Sequence, residues 1–224
     1  MSKEKRFCIT DQRVEDYIRG VLRPYEGITE QISEGKTHRE HPTADTVTLR
    51  LLEIMVRTLE PERILEIGTA NGRSTIILAN ATGANCRIDT IEVNFEAAEK
   101  AVENFKKAGV DEKINMIAGD AVDVLDNLDR KYDLIFIDAA KGQYVRYYDL
   151  CSGMTVPGGI IFADNVLYRG MTAGGARINR RQQLLVSRLR EYIEKAVNDD
   201  RFITDILPVG DGVCISYRKK DSLD

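Results

Sequence analysis

The chain has few cysteines, and none of them is spaced for a metal site or a redox pair. Cys8, Cys86, Cys151 and Cys214 are scattered, without a C-x-x-C pair or the spacing of a zinc finger. Three of the four lie among apolar neighbours, so we expect small, buried and reduced thiols. The sequence also lacks a run of 18 apolar residues and an apolar N-terminal stretch suited to a signal peptide. We therefore expect no membrane span and a cytoplasmic protein.

An excess of positive charge is also missing. The 224 residues include 32 basic and 36 acidic side chains, a net charge of −4, which counts against a protein that binds polyanions by bulk charge. The content of 30% charged and 43% hydrophobic residues excludes collagen-like, disulfide-dense and wholly disordered chains. There is no internal repeat. This length suits one large domain or two small ones with a sizeable core.

Hydrophobic periodicity divides the chain at about residue 60. Apolar residues recur at helical spacing over 11–22 and 45–59, which predicts two helices. After Pro61, short β-branched apolar runs alternate with helical segments; they cover 63–68, 86–93, 114–120, 132–139 and 158–165. This alternation predicts right-handed βαβ units, and hence a parallel sheet with helices on both faces.

The C-terminal end breaks this alternation. Residues 202–209 and 213–220 read as two strands joined by Gly-Asp-Gly, which predicts an antiparallel hairpin. We therefore predict a single α/β domain over residues 1–224. It would comprise an N-terminal helical extension, 1–60, and an α/β core, 61–220.

Ligands of such sheets bind at the carboxyl ends of the strands, near the point where the strand order reverses. The first strand ends in E-I-G-T-A-N-G-R-S, which contains Glu66, Gly68, Gly72 and Ser74. Two glycines allow a tight turn and the close approach of a ligand to the backbone. The motif is not G-x-G-x-x-G, and the adjacent carboxylate suits a cationic ligand group better than a pyrophosphate. On its own, the motif fits an ordinary glycine turn equally well.

Acidic residues follow the next two strands. Glu92 lies 24 residues beyond Gly68, a spacing that suits hydrogen bonds from ribose hydroxyls. Asp120 follows the third strand and is placed to accept from an adenine amino group. Either acid alone also fits a solvated loop residue or a helix cap. Three acids at three adjacent strand ends favour a nucleoside-binding site.

Two further strands end in oxygen ligands. Asp138 follows the fourth strand, and Asp164 with Asn165 follows the fifth. Two carboxylates and a carboxamide form a hard ligand set that suits Mg²⁺, Mn²⁺ or Ca²⁺ rather than zinc. An Asp-Asn pair alone also fits an ordinary turn, but the neighbouring Asp138 favours a metal site.

The ordered set of E-I-G-T-A-N-G-R-S, Glu92, G-D-A at 119–121, F-I-D-A-A-K at 136–141 and A-D-N at 163–165 resembles one family. It is that of the metal-dependent S-adenosylmethionine (SAM) O-methyltransferases of the catechol and caffeoyl-coenzyme A type, and the resemblance covers roughly residues 42–218. It implies a Rossmann-like methyltransferase fold with a mostly parallel seven-stranded sheet and a C-terminal antiparallel hairpin. It also implies a homodimer.

The resemblance assigns roles to particular residues. It implies cofactor binding by Thr43, Glu66, Gly68, Thr69, Gly72, Ser74, Glu92, Asp120, Ala121 and Asp138. It implies metal binding by Asp138, Asp164 and Asn165, and catalysis by Lys141 as the base together with Asp138. The methyl group of SAM is already activated, so the enzyme mainly aligns donor and acceptor. A metal acidifies the substrate hydroxyl, and it also disfavours the charged form of the base.

The chain departs from the family pattern at two positions. Arg73 stands where the family often has an aromatic residue, and Thr48 stands near a position that is often glycine. We expect the first difference to change one side of the cofactor pocket. Neither difference removes a proposed ligand.

Charge distribution bears on the substrate. Residues 168–195 contain seven basic and two acidic residues, a net charge of +5, directly after the proposed metal ligands. The stretches 137–144, 164–170 and 208–212 most resemble the bacterial branch that methylates 5-hydroxyuridine at the tRNA wobble position. We expect Arg169, Arg177, Arg180 and Arg181 to contact the anticodon loop through phosphates.

Three alternatives remain open at this point. The arginines also fit the solvated face of an amphipathic helix that Asn179 and Gln182 would cap. The same chemistry would serve a small catechol-like substrate. A protein of another class would bind a nucleotide or NAD without methyl transfer, although the missing G-x-G-x-x-G argues against it.

Overall fold

The computed structural model describes residues 11–34, 44–175 and 178–220. Its helices are α1 (Gln12–Val21), α2 (Ile28–Glu34), α3 (Thr46–Leu59), α4 (Arg73–Ala81), α5 (Phe95–Ala108), α6 (Ala121–Asp126), α7 (Tyr144–Met154) and α8 (Arg180–Val197). Its strands are β1 (Arg63–Ile67), β2 (Arg87–Glu92), β3 (Ile114–Ala118), β4 (Tyr132–Ile137), β5 (Thr155–Ala163), β6 (Phe202–Leu207) and β7 (Val213–Arg218).

The strands form one seven-stranded sheet in the order β3-β2-β1-β4-β5-β7-β6. Neighbours from β3 through β5 pair in parallel, while β7 pairs antiparallel with both β5 and β6. The predicted Rossmann-like fold with a C-terminal antiparallel hairpin is therefore confirmed. Strand order reverses between β1 and β4, so their carboxyl ends flank the crevice in which such sheets bind ligands.

Both faces of the central strands are buried, which explains their nearly continuous apolar sequences. Alternate residues point to opposite faces: Leu65 and Ile135 join the core under α6, α7 and α8, whereas Ile64 and Leu134 join the core under α3, α4 and α5. Helices on both faces therefore hold the sheet in place, and with it the carboxyl ends of its strands.

The two helices predicted before Pro61 are α1 and α3, with boundaries within about one residue of those expected. Asp45 caps α3 by accepting the Val47 backbone N–H at 2.8 Å. The sequence analysis missed α2, which spans only seven residues. Its burial of Thr29 and Ile32 shows that tertiary packing rather than local pattern stabilises it.

The N-terminal extension packs closely on the C-terminal hairpin. Thr48 of α3 is fully buried, and a Cβ on Gly210 of the β6–β7 turn would lie only 2.5 Å from its hydroxyl. Among the described residues, no helix is both long and apolar enough to cross a bilayer.

Candidate active site

A cleft of about 250 Å³ opens at the carboxyl ends of β1, β2 and β4, in the crevice that the topology predicts. Its wall includes the turn after β1, the end of β2, the start of α6 and the segment after β4. Among the residues that line it are Gly68, Thr69, Ser74, Glu92, Asp120, Ala121 and Asp138. These residues were all predicted from the sequence to bind the cofactor.

The remaining cofactor predictions lie elsewhere. Gly72 does not line the cleft, because it faces α5, where a Cβ would lie 2.4 Å from the Phe105 ring. Glu66 is fully buried behind the cleft wall. Thr43 lies outside the described residues.

Only glycine fits at position 68, because the ends of β1 and β4 approach each other closely there. Its φ of 100° is unfavourable for a residue with a side chain, and a Cβ there would lie 2.2 Å from the Asp138 carbonyl oxygen. The turn after β1 therefore lies directly on the chain that leaves β4. This contact brings the glycine turn and Asp138 to the same edge of the cleft.

Glu66 belongs to a buried polar network. Its Oε2 accepts the Thr75 hydroxyl at 2.5 Å and the Thr90 hydroxyl at 2.6 Å, whereas Oε1 has no partner among the described residues. Burial raises the pKa of Glu66 to about 7; the nearby hydroxyls of Ser74, Thr75 and Thr90 oppose that shift, and the charge of Asp138 adds to it. A buried oxygen without a donor suits a cationic ligand group.

Glu92 is held rigidly at the end of β2. Its Oε2 accepts the Ala70 backbone N–H at 2.8 Å, and its Oε1 accepts the Asn94 N–H at 2.9 Å. Ala70 has a φ of 48°, so the turn after β1 adopts a strained conformation that this hydrogen bond stabilises. Each carboxylate oxygen retains a lone pair for further donors, such as ribose hydroxyls.

Asp120 serves two purposes. Its Oδ1 accepts the Val122 N–H at 2.9 Å, which makes it the N-cap of α6, as one of the two sequence interpretations holds. It also lines the cleft together with Tyr147 of α7. Burial, followed by the charge of Asp120, raises the pKa of Tyr147 to about 12, so its hydroxyl stays protonated as a donor.

Sequence reasoning missed several cleft residues. Ala44, Ala70, Gln143 and Tyr147 all line it. For Tyr147 a signal existed, because Tyr144, Tyr147 and Tyr148 share one inward face of α7. For Ala44 and Ala70, no pattern in the sequence indicated a place in the cleft.

The predicted metal ligands converge because β4 and β5 are neighbours. Asp164 is fully buried; its Oδ1 accepts the Asn165 N–H at 2.6 Å, while Oδ2 has no partner among the described residues. Burial, followed by the nearby charge of Asp138, raises the pKa of Asp164 well above its usual range. Lys141 Nζ donates to Asn165 Oδ1 at 3.0 Å.

This donor set fits a hard cation. Within the described ranges, no three histidine, cysteine, aspartate or glutamate side chains are grouped so that they could hold a metal ion by themselves. Two carboxylates and one carboxamide remain, namely Asp138, Asp164 and Asn165. The Asp164 oxygen that lacks a donor is the atom that a cation would satisfy, and a positive charge there would offset the repulsion between the two carboxylates.

The O-methyltransferase family profile matches residues 30–219, which is most of the chain. The protein belongs to this family. A caffeoyl-CoA O-methyltransferase of Stellaria longipes is 31% identical over 179 residues, covering 75% of this chain and 73% of that protein. A catechol O-methyltransferase of Niastella koreensis is 34% identical over 125 residues, covering 54% and 57%.

Solved structures agree with this assignment. The crystal structure of an O-methyltransferase from Bacillus cereus in complex with S-adenosylhomocysteine (SAH) has a TM-score of 0.81 and 25% identity, and the match covers 92% of this chain and 97% of that one. The chain is thus a SAM-dependent O-methyltransferase of the caffeoyl-CoA and catechol type. The alternative of a nucleotide-binding protein without methyl transfer is wrong.

One departure of this O-methyltransferase from its family pattern, Arg73, does not line the cleft itself. Arg73 is buried, and its guanidinium donates to the backbone oxygens of Thr29 and Ala44 and to the Thr46 hydroxyl, at 3.2 to 3.4 Å. It also lies over the Tyr25 ring, 5.5 Å from the centroid. Arg73 therefore anchors the N-terminal extension and does not form the cofactor wall, although it fixes Ala44, which does.

The basic segment of the O-methyltransferase divides into two groups. Asn179 and Gln182 form the predicted capping box at the start of α8. Toward its C-terminal end, Arg188 pairs with Glu191 at 2.8 Å, and Arg190 donates to the Thr172 carbonyl.

The other described arginines of this segment, Arg169, Arg180 and Arg181, are exposed. Arg180 and Arg181 have no ion-pair partner in the described part of the chain, whereas Arg169 lies near the carboxylate of Asp211. Arg177 lies outside the described residues. The structure brings Arg169 to the loop that follows the predicted metal ligands, while Arg180 and Arg181 begin α8. Cations at a helix N-terminus oppose the helix dipole, so stabilisation of the helix does not explain them.

Proposed function

We propose that this O-methyltransferase requires a divalent metal and acts on a small molecule with two oxygens on adjacent carbons, as in a catechol ring. The observation that carries the proposal is the set of Asp138, Asp164 and Asn165 beside the cofactor cleft, with one buried Asp164 oxygen that no donor among the described residues reaches. A hard cation held by these three residues would accept two adjacent substrate oxygens as further ligands.

The residues of the cleft would hold SAM as follows. Glu92 accepts from the ribose hydroxyls, Asp120 and Tyr147 border the adenine, and Gly68 admits the methionine end to the backbone of the turn. Oε1 of Glu66, which has no hydrogen-bond partner in the described ranges, lies behind that turn and would accept a cationic group. Bound SAM supplies an activated methyl group, so these contacts serve mainly to align it with the acceptor oxygen.

Asp138, Asp164 and Asn165 would hold the metal, most simply Mg²⁺. When bound, the metal acidifies the substrate hydroxyl and fixes its orientation. Lys141 lies within hydrogen-bond distance of Asn165, so its amine is at the edge of the same site. We assign it the role of the base that takes the hydroxyl proton, which requires its uncharged form.

A second candidate substrate is tRNA with 5-hydroxyuridine at the wobble position. The exposed side chains of Arg169, Arg180 and Arg181 favour it, because bidentate guanidinium contacts suit phosphates. The names of the relatives, caffeoyl-CoA and catechol O-methyltransferases, favour the small molecule. We therefore place the small-molecule substrate first.

One labelling experiment compares the two substrates. The enzyme is incubated with Mg²⁺, methyl-labelled SAM and either a panel of catechols or tRNA from cells that lack the methyl mark. We expect label in catechols; label in tRNA alone would reverse the order of the candidates. Methyl transfer that persists undiminished in EDTA would contradict the metal requirement.

Matched variants test the metal ligands. We expect Asp164→Asn and Asp138→Asn to abolish Mn²⁺ binding, measured by electron paramagnetic resonance, and methyl transfer. Asp126→Asn is the control, because Asp126 pairs with Arg146 at the surface. Wild-type Mn²⁺ binding by the two site variants would refute the assignment.

The arginines provide the test of RNA binding. If tRNA is the substrate, replacing both Arg180 and Arg181 by alanine weakens tRNA binding. It also reduces the slope of log affinity against log salt by about 1 to 2. An unchanged slope excludes this contact.

We also propose that the protein forms a homodimer through α1. Val14, Tyr17 and Val21 occupy one face of that helix and are 50%, 70% and 61% exposed. Ile54 of the adjacent α3 is also exposed. Exposed apolar side chains that are grouped on one face are typical of an interface.

A further inference from the structure

The turn between β6 and β7 contains a carboxylate that the proposed function leaves without a role. This turn is Gly210–Asp211–Gly212, and it lies beside the loop that follows the predicted metal ligands. Asp211 is half-buried, although it is a charged residue in a turn. The cause of its burial is the close packing of the turn on both sides.

The neighbouring loop, residues 165–170, is strained. Asn165, Tyr168 and Arg169 all have positive φ angles, of 58°, 44° and 56°. Residues with side chains rarely adopt this conformation, and a chain keeps it only where the surroundings fix it. The loop begins with Asn165, so its conformation decides where the carboxamide oxygen of the proposed ligand points.

The turn supplies the contacts that fix the loop. The Asp211 carboxylate accepts the Arg169 backbone N–H. The Asp211 carbonyl accepts the Leu167 N–H at 3.1 Å, and the Gly212 carbonyl accepts the Val166 N–H at 2.9 Å. Backbone carbonyls of the turn therefore bind the first part of the loop, whereas the side chain of Asp211 binds the backbone at Arg169, near the end of the loop.

Close packing prevents the turn from moving away. A Cβ on Gly212 would lie 2.3 Å from the Leu167 side chain, and a Cβ on Gly210 would lie 2.5 Å from the Thr48 hydroxyl. Asp45, which caps α3, lies on the same side of Gly210. The turn is thus wedged between α3 and the loop.

We propose that Asp211 is a positioning residue that holds the 165–170 loop, and hence Asn165, in the geometry needed for metal binding. The proposal rests on the metal site proposed above. Asp211 acts through its oxygen as a hydrogen-bond acceptor for the Arg169 N–H. It is not a ligand itself.

The charges around Asp211 provide a second explanation, in which the negative charge of the carboxylate matters and not its role as a hydrogen-bond acceptor. Lys141 and Arg169 both lie close enough to stabilise the ionised carboxylate, while Glu15 of α1 and Asp164 repel it. If charge were what matters, asparagine would fail as badly as alanine. If the acceptor is what matters, asparagine restores function because its Oδ1 accepts the same N–H.

The experiment compares Asp211→Ala with Asp211→Asn. Mn²⁺ affinity is measured by electron paramagnetic resonance, and exchange of the Arg169 amide by NMR. We expect Asp211→Ala to weaken Mn²⁺ binding about 10- to 100-fold, as loss of a group that orients a metal ligand does. We also expect it to speed exchange of the Arg169 amide at least 10-fold, and Asp211→Asn to stay within about 3-fold of wild type in both. Asp205→Ala, on exposed β6 of the same hairpin, is the matched control.

Several results would overturn the proposal. Wild-type Mn²⁺ affinity and amide exchange in folded Asp211→Ala would remove the positioning role, and equal defects in the alanine and asparagine variants would assign the effect to charge. If Asp211→Ala fails to fold, Asp211→Ser takes its place, because its hydroxyl is too short to reach the Arg169 N–H. If the wild type binds no Mn²⁺, the proposed function fails, while amide exchange still tests the hydrogen bond.

Discussion

Replacing Glu66 by glutamine tests whether its buried carboxyl group titrates near neutral pH. Burial raises the pKa of Glu66 to about 7, from an ordinary value of 4.5. The folded protein therefore holds this proton more tightly than the unfolded chain does. The associated stability is fully present below about pH 4.5, and it is lost as pH rises through about 7.

The size of the effect follows from the shift. A difference of about 2.5 pKa units corresponds to roughly 3 kcal/mol in the free energy of unfolding, lost between about pH 4.5 and pH 8. Glutamine cannot ionise, and its carbonyl oxygen can still accept the Thr75 and Thr90 hydroxyls. We expect Glu66→Gln to match the wild type near pH 5 within about 1 kcal/mol, and to exceed its stability by about 2 kcal/mol above pH 7.

The assay is urea unfolding of the cofactor-free protein from pH 5 to pH 8. The difference between variant and wild type is the measured quantity, because Asp164 also titrates abnormally in both proteins. Glu96→Gln, an exposed position at the start of α5, is the control and should show no such difference. Parallel stability curves for Glu66→Gln and the wild type would refute a raised pKa at Glu66.

Three further predictions concern packing and assembly. Gly68→Ala should destabilise the fold by about 3 kcal/mol or more and abolish SAH binding, because the new Cβ would overlap the backbone of Asp138. The control is Gly109→Ala, where φ is also positive but the space around the Cβ is open; in thermal unfolding it should cost about 1 kcal/mol. Arg73→Met should raise the Kd for SAH several-fold in calorimetry, because it removes the hydrogen bond that holds Ala44 in the cleft wall. Arg50→Met is the control: Arg50 also lies over the Tyr25 ring, but its loss should leave that Kd unchanged. Tyr17→Asp should convert the proposed dimer to a monomer in light scattering, and an unchanged mass would exclude α1 as the interface.

Much of the site was predictable because parallel strands end at one edge of a sheet. Once the strands were recognised, the acids that follow them, Glu92, Asp120 and Asp138, could be placed near one another without coordinates. The same logic brought Asp164 beside Asp138, since β4 and β5 are neighbours. The apolar runs and the residues that follow them are local features of the sequence, so they can be recognised without the structure.

Residues that act through long-range contacts were not predictable. Arg73 was expected to change one side of the cofactor pocket, but the sequence did not show how: its guanidinium reaches back to α2 and the start of α3, and it contacts the cleft wall only through Ala44. Gly72 turned to α5 instead of the cleft, because Phe105 occupies the space beside it. Asp211 shows no relation to the loop after β5 until β7 pairs with β5. Periodicity and spacing do not report which distant elements meet.

The sequence by itself determined the alternation of strands and helices, the identity of the acids at the strand ends and the family of the protein. Hydrophobic period and residue chemistry are written locally, so they can be read without a fold. Only the tertiary structure decided which buried oxygens have no donor among the described residues, as Oε1 of Glu66 and Oδ2 of Asp164 do, and which arginines are exposed. Burial and hydrogen bonding depend on neighbours that are far apart in the chain, and they exist only once the sheet has brought those neighbours together.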